Sequence, residues 1–156
     1  MLNRPSKLQN LIEQSNSVII TEAQIRTLRA TPVQIVPATP GYLIVPYLCL
    51  ANKKAGAAYG GGGGATSFRL RYPVYGQITN GFFLVTGLSV TVESLAVITI
   101  PNMALNLNSV VYGAGPGQGI GESITFSHDG AAEFTGGSGE LKVVTFFWLL
   151  PLSLLY

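Results

Sequence analysis

The stretch Ser67-Phe-Arg-Leu-Arg-Tyr72 alternates without a break between apolar and polar residues. Phe68, Leu70 and Tyr72 fall on one side, and Ser67, Arg69 and Arg71 on the other. That is the period of an extended strand with one face on a core and the other on water or a partner. The same alternation predicts Val90 and Val92 inward with Ser89, Thr91 and Glu93 outward, and it recurs more weakly over residues 122–126. Two longer stretches break the rule. Tyr42-Leu-Ile-Val-Pro-Tyr-Leu-Cys-Leu-Ala51 and Val143-Val-Thr-Phe-Phe-Trp-Leu-Leu150 are apolar on both faces. Such strands need cover on two sides, here expected from their own core on one and another subunit on the other.

Between these runs lie turn-rich segments at residues 60–64, 113–121 and 127–139. Many short strands joined by Gly-rich connections, with almost no helical period, predict an all-β fold: an antiparallel β-sandwich or jelly roll. Pro46, Pro73 and Pro101 restrict which strands are central, because proline donates nothing to a sheet ladder. The first thirty residues read differently. Leu8, Leu11 and Ile12 have the spacing of one helical face over residues 5–14, and a short strand is expected over residues 18–20. Thr21 and Gln24 have the spacing of a capping box ahead of a short helix over residues 22–29. Ile25 and Leu28 would lie on one side of it, Arg26 and Arg29 on the other. The organisation expected is thus an extended N-terminal arm, residues 1–30, with short helices, followed by a jelly-roll domain, residues 31–156, ending in an apolar tail.

Composition points the same way. Nine Lys or Arg and seven Asp or Glu leave 10% charged residues against 47% hydrophobic, where a soluble domain has about a quarter charged. A chain this poor in charge is expected to hide much of its outside in an assembly. A length of 156 residues suffices for one domain with a real core. Net charge is +2 and the basic residues are scattered, without the basic stripe of a nucleic-acid binder. Cys49 is the only cysteine, which excludes an internal disulfide. In its apolar setting it reads as a small hydrophobe. The opening MLNRPSKLQN lacks the apolar region of a secretory signal, so a chain made and kept in a cytoplasm is expected. No run reaches the roughly 20 apolar residues that span a bilayer.

Reactive chemistry is sparse. Residues 60–64 are followed by Ala65, Thr66 and Ser67 with no lysine, so the phosphate-loop pattern fails, and residues 113–121 lack the dinucleotide spacing. Flexible hairpin loops are expected at both. His128 and Asp129, the only histidine and the only aspartate, are adjacent in Ser127-His-Asp-Gly130. A metal site usually needs three or four ligands, and a catalytic pair needs a third, orienting group. A solvated Asp-Gly turn is the expectation. No catalytic, cofactor-binding or metal-binding residue is assigned. Trp148 with Phe146 and Phe147 has the makings of a sugar-stacking platform, although terminal-strand aromatics are more often core or interface anchors.

Three stretches together resemble small virion proteins of tailed bacteriophages. They are Ile20-Thr-Glu-Ala-Gln-Ile-Arg-Thr-Leu leading into Thr31-Pro-Val-Gln-Ile-Val-Pro-Ala and Gly41-Tyr-Leu-Ile-Val, then Ala57-Ala-Tyr-Gly60 with Asn102-Met-Ala-Leu-Asn-Leu107, then Phe134-Thr-Gly-Gly-Ser-Gly-Glu-Leu-Lys-Val-Val-Thr-Phe146. The resemblance covers roughly residues 20–150. It implies jelly-roll trimers that sit on the capsid surface as decoration or cement, or that belong to a head fibre or tail attachment. The ending Leu149-Leu-Pro-Leu-Ser-Leu-Leu-Tyr156 is longer and more apolar than the resemblance provides. The partners implied are the chain itself, as a trimer, and a major capsid protein, with no nucleic acid and no membrane; a glycan is possible but unsupported. The residues assigned to partner contacts are Leu8, Leu11 and Ile12 of the arm, Arg26 and Arg29 of the short helix, Arg69 and Arg71 of the alternating strand, and Trp148, Leu150, Leu152, Leu154, Leu155 and Tyr156 of the ending. Three rival classes remain: a receptor- or glycan-binding module of a tail or head fibre, a protein anchored at a membrane interface by its tail, and an enzyme.

Overall fold

A computed structural model describes residues 12–64, 67–74, 76–77, 83–84, 88, 91–99, 121–151 and 153. The strands in chain order are β1 (Ile12–Ile20), β2 (Val33–Val36), β3 (Tyr42–Lys53), β4 (Tyr59–Gly61), β5 (Ser67–Tyr72), β6 (Gly76–Gln77), β7 (Phe83–Leu84), β8 (Ser94–Thr99), β9 (Ile124–His128), β10 (Phe134–Gly136) and β11 (Leu141–Pro151), with one short helix, α1 (Glu22–Arg26), after β1. One sheet runs β1-β11-β3-β8, and the other β2-β9-β5-β6 with β7 also on β5. β4 and β10 form a separate two-stranded ribbon.

The pairing is nested. β1 pairs β11, β2 pairs β9, β3 pairs β8 and β5 pairs β6, all antiparallel. This is one long hairpin whose successive pairs alternate between two sheets, the arrangement of a jelly roll. The expected all-β antiparallel sandwich is therefore observed. Its core fills the space between the sheets, with Ile20, Ile44, Cys49 and Val143 from one side facing Phe68, Leu70, Ile124 and Phe126 from the other. The rings of Phe68 and Phe126 lie 4.7 Å apart. Phe68, Leu70 and Tyr72 are all buried, as the alternation of their strand requires.

Several local expectations change. Residues 12–14 are strand, not helix: β1 makes nine register pairs with β11, against which a helix of under three turns has little to offer. The rest of that expected helix lies outside the described residues. The capping box of Thr21 and Gln24 is present, but α1 ends at Arg26 because the amides of Arg29 and Ala30 bond the carboxylate of Glu133 instead. Ile25 and Leu28 are buried beneath that turn, as expected. Val92 is exposed rather than inward, since the strand begins only at Ser94; Val90 lies outside the described residues. Pro46 sits within a strand flanked by β11 and β8, and two features make room for it. A bulge between Phe146 and Phe147 leaves Tyr47 without a register partner on β11, and among the described residues the pairing with β8 stops at Leu48.

Candidate assembly surface

Strict alternation along β11 sends Leu141, Val143, Thr145, Phe147 and Leu149 inward and leaves Lys142, Val144, Phe146 and Trp148 on the outer face. The register then places Val144 beside Leu50 and Phe146 beside Leu48 on β3. Leu50 in turn stands opposite Val97 on β8. On the far side, Lys142 and Val144 face Ile19 and Ser17 of β1. The result is an apolar patch at the centre of the outer face, on β11, β3 and β8, where such sheets normally carry polar residues; Glu13, Ser15 and Ser17 of β1, Lys142 and Asn52 flank it. Leu48, Leu50, Val144, Phe146 and Trp148 are half-buried by one another. At the margins exposure is high: Leu95 is 64%, Val97 60% and Ile19 53% exposed. Tyr47, projected by the bulge, stacks on Trp148 with ring centroids 4.6 Å apart, and its hydroxyl donates to Glu13. That carboxylate raises the Tyr47 hydroxyl above its ordinary range.

The back of the other sheet is different. Gln34, Thr125, Arg69 and Arg71 lie there in register. Arg71 is exposed and, with Pro32, Pro73 and Thr125, lines a shallow groove of about 350 Å³. Arg69 lies 3.9 Å from the carboxylate of Asp129.

Of the residues assigned to partners from sequence, Ile12 is exposed at the open end of β1, and Trp148 belongs to the apolar face. The arginines of the short helix turn inward to their own chain. Arg26 donates to the carbonyls of Gly136 and Gly137, and Arg29 to that of Gly130. They hold the helix and the turn after it against the end of β10 and the β9-β10 connection. Leu150 is 4% exposed and packed in the core, so β11 ends with two consecutive buried leucines rather than an outward one. Leu8, Leu11, Leu152, Leu154, Leu155 and Tyr156 lie outside the described residues. Sequence reasoning missed Leu95 and Val97, because Ser94-Leu-Ala-Val-Ile-Thr99 is apolar throughout its centre and shows no face. It also named no single residue of β3, although the two-sided apolar character of that strand was the available signal.

Reactive groups are built into the fold. His128 is 5% exposed at the end of β9, not in a solvated turn. Its Nδ1 accepts the Gly130 amide at 3.1 Å, which leaves the ring proton on Nε2, 3.5 Å from Glu133. Burial lowers its pKa, and the nearby carboxylates of Glu133 and Asp129 offset that only in part. Burial alone would raise the Glu133 carboxyl, but the amides of Arg29 and Ala30 and the imidazole hold it below its usual range. The pair thus clamps the helix turn onto the strand end. Burial also pushes the Cys49 thiol up to about 11, away from the reactive thiolate. Lys53 is 1% exposed, its ammonium donating to the Lys54 carbonyl and lying 6.0 Å from the Tyr59 ring centre. Within residues 60–64, Gly63 is required by packing: a Cβ on it would lie 2.2 Å from the Ala132 amide nitrogen. Residues 113–120 lie outside the described residues. Among the described residues no group of three His, Cys, Asp or Glu is placed to hold a metal ion, and no helix is long and apolar enough to cross a membrane.

No family model matches the chain, and no curated protein matches it. Among solved structures it is similar to a chain of the cyanophage Pam1 capsid asymmetric unit, with 11% identity and a TM-score of 0.42 over 91% of this chain and 86% of that one. An overlap this loose assigns neither fold nor function.

Proposed function

We propose that the protein is a non-enzymatic virion structural protein of a bacteriophage, a capsid decoration or cement protein that binds the head shell as a homotrimer. The observation that carries this reading is the apolar patch on the outer face of the β1-β11-β3-β8 sheet. Water-facing, it is a standing cost of about 25 cal/mol for every Å² of apolar surface; covered, the same area becomes association free energy. A cement protein works in that way alone, by burying surface between shell subunits, and asks for no catalytic group. The jelly-roll pairing, frequent in capsid proteins, the charge-poor composition and the sequence resemblance to phage virion proteins support the same reading. A glycan-binding fibre module is less favoured, because the Tyr47-Trp148 stack lies on a strand face.

The test is to add purified protein to phage heads that lack it and to measure bound copies and the temperature at which shells release their DNA. Saturable binding with a raised release temperature supports cementing; no binding, or glycan binding without shell binding, rejects it. Because β1 is paired along its whole length, residues 1–11 and 152–156 are the segments to truncate when looking for loss of binding without loss of folding.

A further inference from the structure

The back of the β2-β9-β5-β6 sheet holds hydrogen-bond donors that the fold itself does not use. Arg69 and Arg71 stand on the same face of β5, with their Cα atoms about 7 Å apart. Ser127 and Thr125 lie beside them in register on β9, and the Thr125 hydroxyl donates to the Arg71 carbonyl. The Arg71 side chain is exposed, and among the described residues its guanidinium has no hydrogen bond and no ion pair. Arg69 has the Asp129 carboxylate at 3.9 Å, beyond hydrogen-bond distance. Its Nε is buried without a hydrogen-bond partner, and so is the Oγ of Ser127, a residue 2% exposed. Buried polar atoms without partners are rare in native proteins, and a guanidinium nitrogen can only donate. What this face lacks is an acceptor.

We infer that the groove lined by Pro32, Arg71, Pro73 and Thr125 binds an acidic segment of a partner protein, with an aspartate or glutamate carboxylate bonded to Arg71 and drawn towards Arg69. Charge selects the ligand. Two guanidiniums share this face with one carboxylate, Asp129, and the carboxylate beyond Pro73, that of Glu122, is turned to the Val74 amide at 3.0 Å. The face is therefore left with positive charge to be met. Shape selects among anions. Arginine offers paired N–H donors that match the two oxygens of a carboxylate. The walls are two exposed prolines, which have no amide to donate. A free phosphate, with more oxygens to satisfy, finds fewer donors than it needs there, whereas the apolar stem of an acidic side chain finds contact. At about 350 Å³ the groove lies at the small end of ligand sites, so it takes a short segment and not a domain face. The inference stands apart from the assembly reading, which is carried by the other sheet.

The test uses the full chain and a short end-blocked peptide alternating alanine and glutamate, followed by fluorescence anisotropy. The glutamine version of that peptide and inorganic phosphate are the comparison probes. Saturable binding of the glutamate peptide is expected, with the glutamine peptide at least about tenfold weaker and phosphate a poorer competitor than unlabelled glutamate peptide. Arg71→Gln should weaken the glutamate peptide about tenfold or more, through loss of a charge-assisted pair. Lys142→Gln, an exposed cation on the other sheet, removes the same charge and should leave binding unchanged. Both substitutions are at exposed positions, and unchanged far-ultraviolet circular dichroism checks that the variants fold. Equal losses from the two variants, or equal binding of the two peptides, would overturn the groove as the site. Phosphate competing better than the peptide would overturn the acidic segment in favour of an inorganic anion, and no binding of the glutamate peptide would overturn the inference outright. A chain that binds the peptide through Arg71 yet fails to bind shells would leave this site standing and reject only the cement reading.

Discussion

The two sheets share one core and differ on their backs. On β2-β9-β5-β6 the outward positions hold Gln34, Thr125, Arg69 and Arg71; on β1-β11-β3-β8 those of the central strands hold Leu48, Leu50, Val144, Phe146 and Trp148, with Glu13, Ser15, Ser17, Lys142 and Asn52 around them. The inward positions of both are equally apolar. Folding of a sandwich needs only the inward set, so the apolar back is not explained by the stability of the single chain. The contrast separates what the fold requires from what the proposed assembly would require, within strands of the same type.

The largest effect should come from confusing the two sides. Phe126→Ala, at a side chain with 0% exposure between the sheets, is expected to cost about 3–5 kcal/mol, much of the roughly 5–15 kcal/mol available to a domain. Phe146→Ala on the apolar back should cost about 1 kcal/mol or less in chemical denaturation of the monomer, yet weaken association at least tenfold by sedimentation. Comparable losses of stability from both would erase the distinction between core and back.

Salt offers the next comparison. Contacts through the apolar back should survive a rise from 0.1 to 1 M NaCl, whereas contacts through Arg69 and Arg71 would weaken as charges are screened. Dissociation at high salt, read by light scattering, would transfer the interface to the polar sheet.

Acid should act at the end of the polar sheet. The pKa of His128 is lower in the folded chain than its ordinary value near 6.5, so the unfolded chain takes up that proton first. Its contribution to stability is complete above about pH 6.5 and is lost as pH falls below it. Glu133, also held low, adds a second loss in the carboxylate range below about pH 4.5. Thermal unfolding of His128→Gln should show a flatter pH profile between 6.5 and 5 than the native chain; an unchanged slope would remove His128 from the account. The smallest effect belongs to Arg71→Ala, an exposed side chain on the polar back, expected to change stability by no more than about 0.5 kcal/mol.

Much of this contrast is legible in the sequence. The alternation of residues 67–72 sorts core from surface correctly, because a strand has only two faces. The two-sided runs announce the apolar back for the same reason. Functional residues were less legible where side chains act through the fold. Arg26 and Arg29 look like free cations on a helix face, but the end of β10 and the β9-β10 connection, more than a hundred residues away in sequence, present carbonyls to them. Leu95 and Val97 were hidden by a strand apolar through its centre, which becomes an edge only when its place in the sheet order is known.

By itself, the sequence determined the strand period, the capping box at Thr21 and the shortage of charge, since each depends on residues close along the chain or on composition alone. Tertiary structure decided which partner each strand takes, that His128 is buried against Glu133, that Gly63 leaves no room for a side chain, and that one sheet turns an apolar back outward. Those depend on contacts between distant segments, and local spacing carries no record of them.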